Sequence, residues 1–132
     1  MAKSILIVDD EPMARTLLRL MLVRSGYEVI ESIDGQDALD KLRIILPDLI
    51  VLDVMMPGIN GFDVCNSIRS MPATARIPVI MLSAKADSES IEQGLAAGAT
   101  RYLTKPVSPD ALTKQVAEVL ADSSNPFQFT VD

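Results

Sequence analysis

The sequence predicts an α/β fold: a five-stranded parallel sheet, strand order 2-1-3-4-5, with five helices distributed over both faces. Two observations carry this. Short apolar runs rich in β-branched residues alternate five times with longer amphipathic segments, and turn residues separate them, the pattern of repeated βα units. Runs one, three and four are continuously apolar, while run two (YEVIES) and run five (TRYLTK) alternate. Strands covered on both faces read as unbroken apolar stretches, so the alternating pair belongs at the edges. Right-handed crossovers then favour the stated order.

The first run, Ser4 to Asp9 (SILIVD), precedes a helix expected over Pro12 to Ser25, with Leu17, Leu18 and Met21 at helical spacing and Gly26 as its stop. The second, Tyr27 to Ser32, leads to a helix over Gln36 to Leu46, where Ala38, Leu39, Leu42 and Leu46 share a stripe that Pro47 ends. The third, Asp48 to Asp53 (DLIVLD), opens into the loop VMMPGING and a helix with Phe62, Cys65 and Ile68 facing inward. The fourth, Pro78 to Ser83 (PVIMLS), precedes a helix over Asp87 to Ala97 that contains Gly94 and few large apolar residues, so it is expected to be the least stable of the five. The fifth, Thr100 to Lys105, is followed by Pro106 and a last helix with Ser108 as N-cap, Pro109 at its first position and Leu112, Val116, Val119 and Leu120 on its apolar face.

A chain of 132 residues has room for one domain, since domains cluster at roughly 100–150 residues. We assign it to residues 1–121, and residues 122–132 (DSSNPFQFTVD) read as a tail or linker stub. A net charge of −6 lacks the positive field that non-specific nucleic-acid binding requires, so direct nucleic-acid contact is not expected of this domain. No apolar run approaches the roughly 20 residues that span a bilayer, and the short stretch after Lys3 is no signal-peptide core; a cytoplasmic location without membrane contact is expected. The single cysteine, Cys65, excludes an internal disulfide and reads as a small core residue. Met13, Met21, Met71 and Met81 read as core or gap fillers. Histidine is absent, which removes histidine triads, histidine zinc sites and any phosphohistidine carried by the chain itself.

The remaining chemistry is carboxylate, hydroxyl and lysine, and it collects at strand ends. In a sheet of this order the winding reverses between strands one and three, and ligands sit beyond the carboxyl ends of the strands at that point. Asp9, Asp10 and Asp53 end those two strands. Such a trio repels itself unless it takes up a proton or a cation, and oxygen-only ligands with an open side suit Mg²⁺. Asp9 and Asp10 have a second reading as caps of the helix that starts at Asp10-Glu11-Pro12. Asp53 weighs against the simpler account, because a charge directly ending a buried strand is costly without a task. Ser83 and Lys105 end strands four and five and add a hydroxyl and a cation to the same edge.

Over about residues 3 to 121, Asp9-Asp10, Asp53 within LDVMMPGINGFD, Ser83-Ala84 and Lys105-Pro106 resemble the receiver domain of two-component response regulators, a flavodoxin-like doubly wound fold. The resemblance implies a signalling switch in which Asp53 accepts a phosphoryl group. Asp10, Asp53 and the backbone carbonyl of Met55 would ligate Mg²⁺, with Asp9 acting through water. Ser83 and Lys105 would hold phosphoryl oxygens, and the Lys105–Pro106 bond would be cis. Ser83 and Tyr102, three residues before Lys105, would be the switch pair that alters the helix 4–strand 5–helix 5 surface. Read alone, Tyr102 is a half-buried edge-strand aromatic.

By the same resemblance the donor is a sensor histidine kinase or phosphotransfer protein, the recipient of the signal is a downstream protein or output domain, and a phosphorylation-linked dimer is admitted. Met55 and Lys85 would flank the water of dephosphorylation, and an apolar Met55 implies modest autodephosphorylation. No enzymatic activity is expected beyond assistance to the chain's own phosphorylation and dephosphorylation. An aspartyl phosphatase normally needs an acid two residues after its nucleophile, where Met55 stands, and a flavodoxin-type binder needs a hydroxyl-rich loop where Asp10-Glu11-Pro12 stands. Two alternatives keep the fold and change the role: a phosphorylation-independent binding module, or a receiver excised from a longer regulator.

Overall fold

The computed structural model describes residues 2–122. Its elements run β1 (Ser4–Val8), α1 (Pro12–Arg24), β2 (Glu28–Ser32), α2 (Gly35–Lys41), β3 (Leu49–Asp53), α3 (Gly61–Ser70), β4 (Val79–Ser83), α4 (Ser88–Ala96), β5 (Arg101–Thr104) and α5 (Pro109–Ala121). The five strands pair in parallel in the order β2-β1-β3-β4-β5. The two alternating strands are therefore the edges, as their patterning required.

Successive side chains of a strand point to opposite faces, and the core divides accordingly. Leu6, Val8, Ile50, Leu52, Val79 and Met81 pack with Ala38, Leu42, Val64, Cys65 and Ile68 of the α2–α3 side. Ile5, Ile7, Leu49, Val51, Ile80 and Leu82 pack with Leu18 and Leu22 of α1 and Leu112, Val116 and Val119 of α5. Cys65 is a fully buried core residue, and burial pushes its thiol up to about 11. Among the described residues no helix is long and apolar enough to cross a membrane.

The facing of α1 and the end of the second helix need correction. In α1 the buried pair is Leu18 and Leu22, while Leu17 is 54% and Met13 73% exposed, so neither is a core filler. Met81 lies fully inside and Met21 packs half-buried against the core, as fillers do, while Met71 is half-buried. The second helix stops at Lys41, leaving Leu46 60% exposed. Pro47 disfavours helical geometry at the residue before it, and the chain must unwind to enter β3. In α3, Cys65 and Ile68 face inward as expected and Phe62 packs half-buried against the same cluster, which Val64 joins as a further fully buried residue. The fourth helix matches its expected span and starts on Asp87, whose carboxylate accepts from Ser90 N. The expected tail lies, from residue 123 on, outside the described residues.

Candidate functional site

The loops that leave β1 and β3 hold the acidic cluster. Asp9 and Asp53 are buried, Asp10 is the more open, and one carboxylate oxygen from each lies within 4.8 Å of the others. The helix that follows does not use the Asp pair as its cap. Pro12 occupies the first turn, so the N-cap falls on Glu11, whose carboxylate accepts from Met13 N at 3.3 Å and Ala14 N at 2.9 Å. The cap reading of Asp9 and Asp10 is thereby corrected, and Asp10 is left for other work. Asp9 Oδ1 accepts from Glu11 N at 2.9 Å, while Asp9 Oδ2 is buried with no hydrogen-bond partner.

Lys105, on the loop after β5, reaches across to both buried acids. Its Nζ lies 3.5 Å from Asp53 Oδ1 and 3.7 Å from Asp9 Oδ2. The second distance is too long for a hydrogen bond. One ammonium thus faces three carboxylates without saturating them, a donor set with a net negative charge and oxygen ligands only. Those are the conditions that suit a hard divalent cation such as Mg²⁺, and the orphaned Asp9 Oδ2 is an oxygen positioned to meet one directly or through water.

Asp53 sits at the end of β3 beside Leu82 of β4, and its Oδ1 also accepts from Met55 N at 3.2 Å. Burial pushes the Asp53 carboxyl above its ordinary value. Lys105 opposes this, the charge of Asp9 adds to it, and the Met55 N–H opposes it again. The loop beyond turns through Gly58 at φ 76 and delivers the chain to α3, where Asn60 caps by accepting from Asp63 N. Gly61 presses this helix start against the strand end: a β-carbon there would stand 2.6 Å from Val54 Cα and 2.7 Å from Asp53 O.

Ser83 ends β4, fully buried, one residue beyond the register partner of Asp53. Its Oγ accepts from Lys85 N at 3.1 Å. Tyr102 of β5 is half-buried, and its hydroxyl donates to Lys85 O at 2.8 Å. The two residues expected to act together therefore meet through one residue's backbone, on the N–H and the carbonyl of Lys85. Gly94 of α4 gives the tyrosine ring its seat, since a β-carbon there would lie 2.7 Å from Tyr102 Cδ2. Met55, 54% exposed, and Lys85 line a common cleft of about 320 Å³. The Lys105–Pro106 bond is cis.

Asp9, Asp10, Asp53 and Lys105 thus come together directly, and Ser83 and Tyr102 flank them on the β4–β5 side. Sequence reasoning missed the backbone of Lys85 as the meeting point of Ser83 and Tyr102, and the steric role of Gly61. It had a usable signal for Glu11, because a proline at the first helical position places the cap just before it.

The model of the response regulator receiver domain family matches residues 5–117. The chain is 45% identical over 123 residues to the alkaline phosphatase synthesis transcriptional regulatory protein PhoP of Bacillus subtilis, covering 93% of this chain and 50% of that one. It is 40% identical over 116 residues to the DNA-binding response regulator MtrA of Mycolicibacterium smegmatis, covering 88% and 50%. Among solved structures, a response regulator from Chloroflexus aurantiacus superposes with a TM-score of 0.88 at 38% identity, covering 92% of this chain and 99% of that one. The chain spans about half the length of the curated relatives it matches. A family match over nearly the whole described body, the 2-1-3-4-5 sheet and the acidic cluster at its switch point agree: the chain belongs to the receiver domains of two-component response regulators.

Proposed function

We propose that this domain is a phosphorylation switch in which Asp53 takes a phosphoryl group from a phosphohistidine on a sensor histidine kinase or phosphotransfer protein. The observation that carries the reading is the carboxylate trio of buried Asp9 and Asp53 with the more open Asp10, facing one lysine, with Asp9 Oδ2 lacking any hydrogen-bond partner. In the transfer, an Asp53 carboxylate oxygen forms the new P–O bond. The donor's N–P bond breaks, its electron pair stays on the imidazole nitrogen, and that nitrogen takes a proton from solvent. Little covalent work falls to the protein, so positioning and charge neutralisation dominate.

Asp10, Asp53 and the Met55 carbonyl, with Asp9 through water, would hold Mg²⁺, which would supply positive charge to the phosphoryl oxygens. Lys105 adds a second point charge from the β5 side. Ser83 accepts from Lys85 N but keeps its own hydroxyl proton, which it can donate to a phosphoryl oxygen. Turning toward that oxygen releases Lys85 N, and the Lys85 carbonyl that anchors Tyr102 shifts with it. The reporter pair is coupled through the two peptide groups that meet at Lys85 Cα, and the surface of α4, β5 and α5 carries the output. Exposed and apolar, Met55 offers no group to orient an attacking water, which keeps autodephosphorylation modest. The domain catalyses nothing beyond these steps on itself, and it acts in the cytoplasm.

The half-length match to regulators named as transcriptional or DNA-binding favours a specific role for the output: the receiver governs a DNA-binding domain outside this sequence, through a phosphorylation-linked dimer. Intact-mass spectrometry after incubation with Mg²⁺ and acetyl phosphate tests the chemistry. One added phosphoryl group is expected in the wild type, and none with EDTA or in Asp53→Asn. An Asp53→Asn protein that gains as much as the wild type overturns it.

A further inference from the structure

We propose that Arg15 is a positioning residue for cation capture, holding the Asp9–Asp10 peptide so that both carboxylates face the site; this rests on the reading of the acidic cluster as a Mg²⁺ site. Arg15 Nη1 donates to the Asp9 carbonyl at 2.8 Å, and its Nε meets Glu31 Oε1 at 3.2 Å. Its side chain is only 16% exposed. Glu31 is itself held in place from a second side by Arg19 at 3.5 Å. The guanidinium is thus a strut from the edge strand β2, across the start of α1, to the end of β1.

The carbonyl it grips belongs to the peptide plane that joins the two acids. Asp9 is already fixed at its amide, which donates to Ser32 O at 3.2 Å, and at Oδ1 by Glu11 N. With the carbonyl held as well, the Asp9–Asp10 peptide has one orientation. Three carboxylates within 4.8 Å repel one another, and a peptide free to rotate would let Asp10 swing away before a cation arrives. A planar two-sided donor can hold an acceptor and a carboxylate at once, which a point-charge ammonium does less well.

Charge and geometry make opposite predictions here. Arg15 is a cation close to a cation site, so if its charge were its only influence, removing it would strengthen divalent binding. If it positions the acids, removing it weakens binding, and residues that orient metal ligands typically contribute on the order of 10–100-fold in affinity. A purely structural role would lower thermal stability and leave the affinity of the folded protein unmoved.

The test is Mn²⁺ binding to metal-free protein, read from the free-ion EPR signal, beside thermal melts in EDTA, for wild type, Arg15→Gln and Arg15→Lys. We expect Arg15→Gln to bind roughly tenfold more weakly and Arg15→Lys to fall between it and wild type. Wild-type affinity or better in a folded Arg15→Gln protein overturns the proposal while leaving the metal site standing. A wild type that binds no Mn²⁺ overturns the metal site itself. If Arg15→Gln does not fold, Arg15→Lys is decisive: affinity equal to or above wild type overturns the proposal.

Discussion

Replacing Gly61 by alanine isolates the contact that sets the position of Asp53. The glycine does not have a positive φ, so alanine meets no conformational barrier, and at the first position of α3 its better helix propensity stabilises by up to about 1 kcal/mol. The obstacle is steric. The new β-carbon stands 2.6 Å from Val54 Cα, whereas ordinary contact begins at 3.4 Å, so about 0.8 Å must be found between α3 and the end of β3. Both nearest atoms are backbone and cannot rotate aside. Overpacking of this kind costs about 1–3 kcal/mol, which for a domain of this size lowers Tm by about 4–12 °C. The displaced segment carries Asp53, and a misplacement near 1 Å at reacting groups slows chemistry on the order of a hundredfold. Thermal melts and the initial rate of phosphorylation by acetyl phosphate measure the two effects. A Tm at or above wild type, with an unchanged rate, would show that the helix start does not fix the acceptor.

Three further perturbations follow from the same geometry. In metal-free buffer Asp53→Asn should raise Tm at neutral pH, because burial and Asp9 disfavour the charged carboxylate; the folded pKa lies above the unfolded one, so wild type loses stability as pH rises from about 4, and the variant's advantage should vanish below that pH. An advantage that persists at pH 3 contradicts the electrostatic cause. Gly94→Ala, in a Tyr27→Phe background, should expel the Tyr102 ring from its seat, raising its reactivity with tetranitromethane and costing about 1–3 kcal/mol; unchanged reactivity means that the ring is not held there. Arg69→Leu should lower the unfolding free energy measured by urea titration by on the order of 3 kcal/mol, because its guanidinium serves the carbonyls of Gly98 at 3.0 Å, Ala75 at 3.2 Å and Ile77 at 2.6 Å. A loss under about 1 kcal/mol would mean that water replaces it.

Strand order and the acids were readable because both depend on position along the chain. Burial on two faces leaves unbroken apolar runs, and a carboxylate or lysine at the end of such a run lies at the sheet's carboxyl edge. The facing of α1 was not readable in the same way. Met13, Leu17 and Leu20 make one helical stripe, Leu18 and Leu22 another, and periodicity alone does not say which meets the sheet. Packing selects the second and leaves the first exposed, with Leu17 lining a cleft beside Asp9 and Lys105.

Contacts through space were also hidden. Arg15 on Asp9 O, Gly61 against Val54, and Ser83 and Tyr102 on opposite ends of the Lys85 residue join elements whose approach no spacing rule specifies. Leu46 was misassigned for a local reason, the unwinding before Pro47.

The central claim is that Asp53, and no other carboxylate of the cluster, becomes the acyl phosphate. Borohydride reduction of the phosphorylated protein converts an aspartyl phosphate to homoserine, and peptide mass spectrometry then locates the change. Homoserine at position 53 alone, and only when Mg²⁺ was present, is the predicted result. Homoserine at position 9 or 10, or none in a protein that has gained a phosphoryl group, contradicts the account.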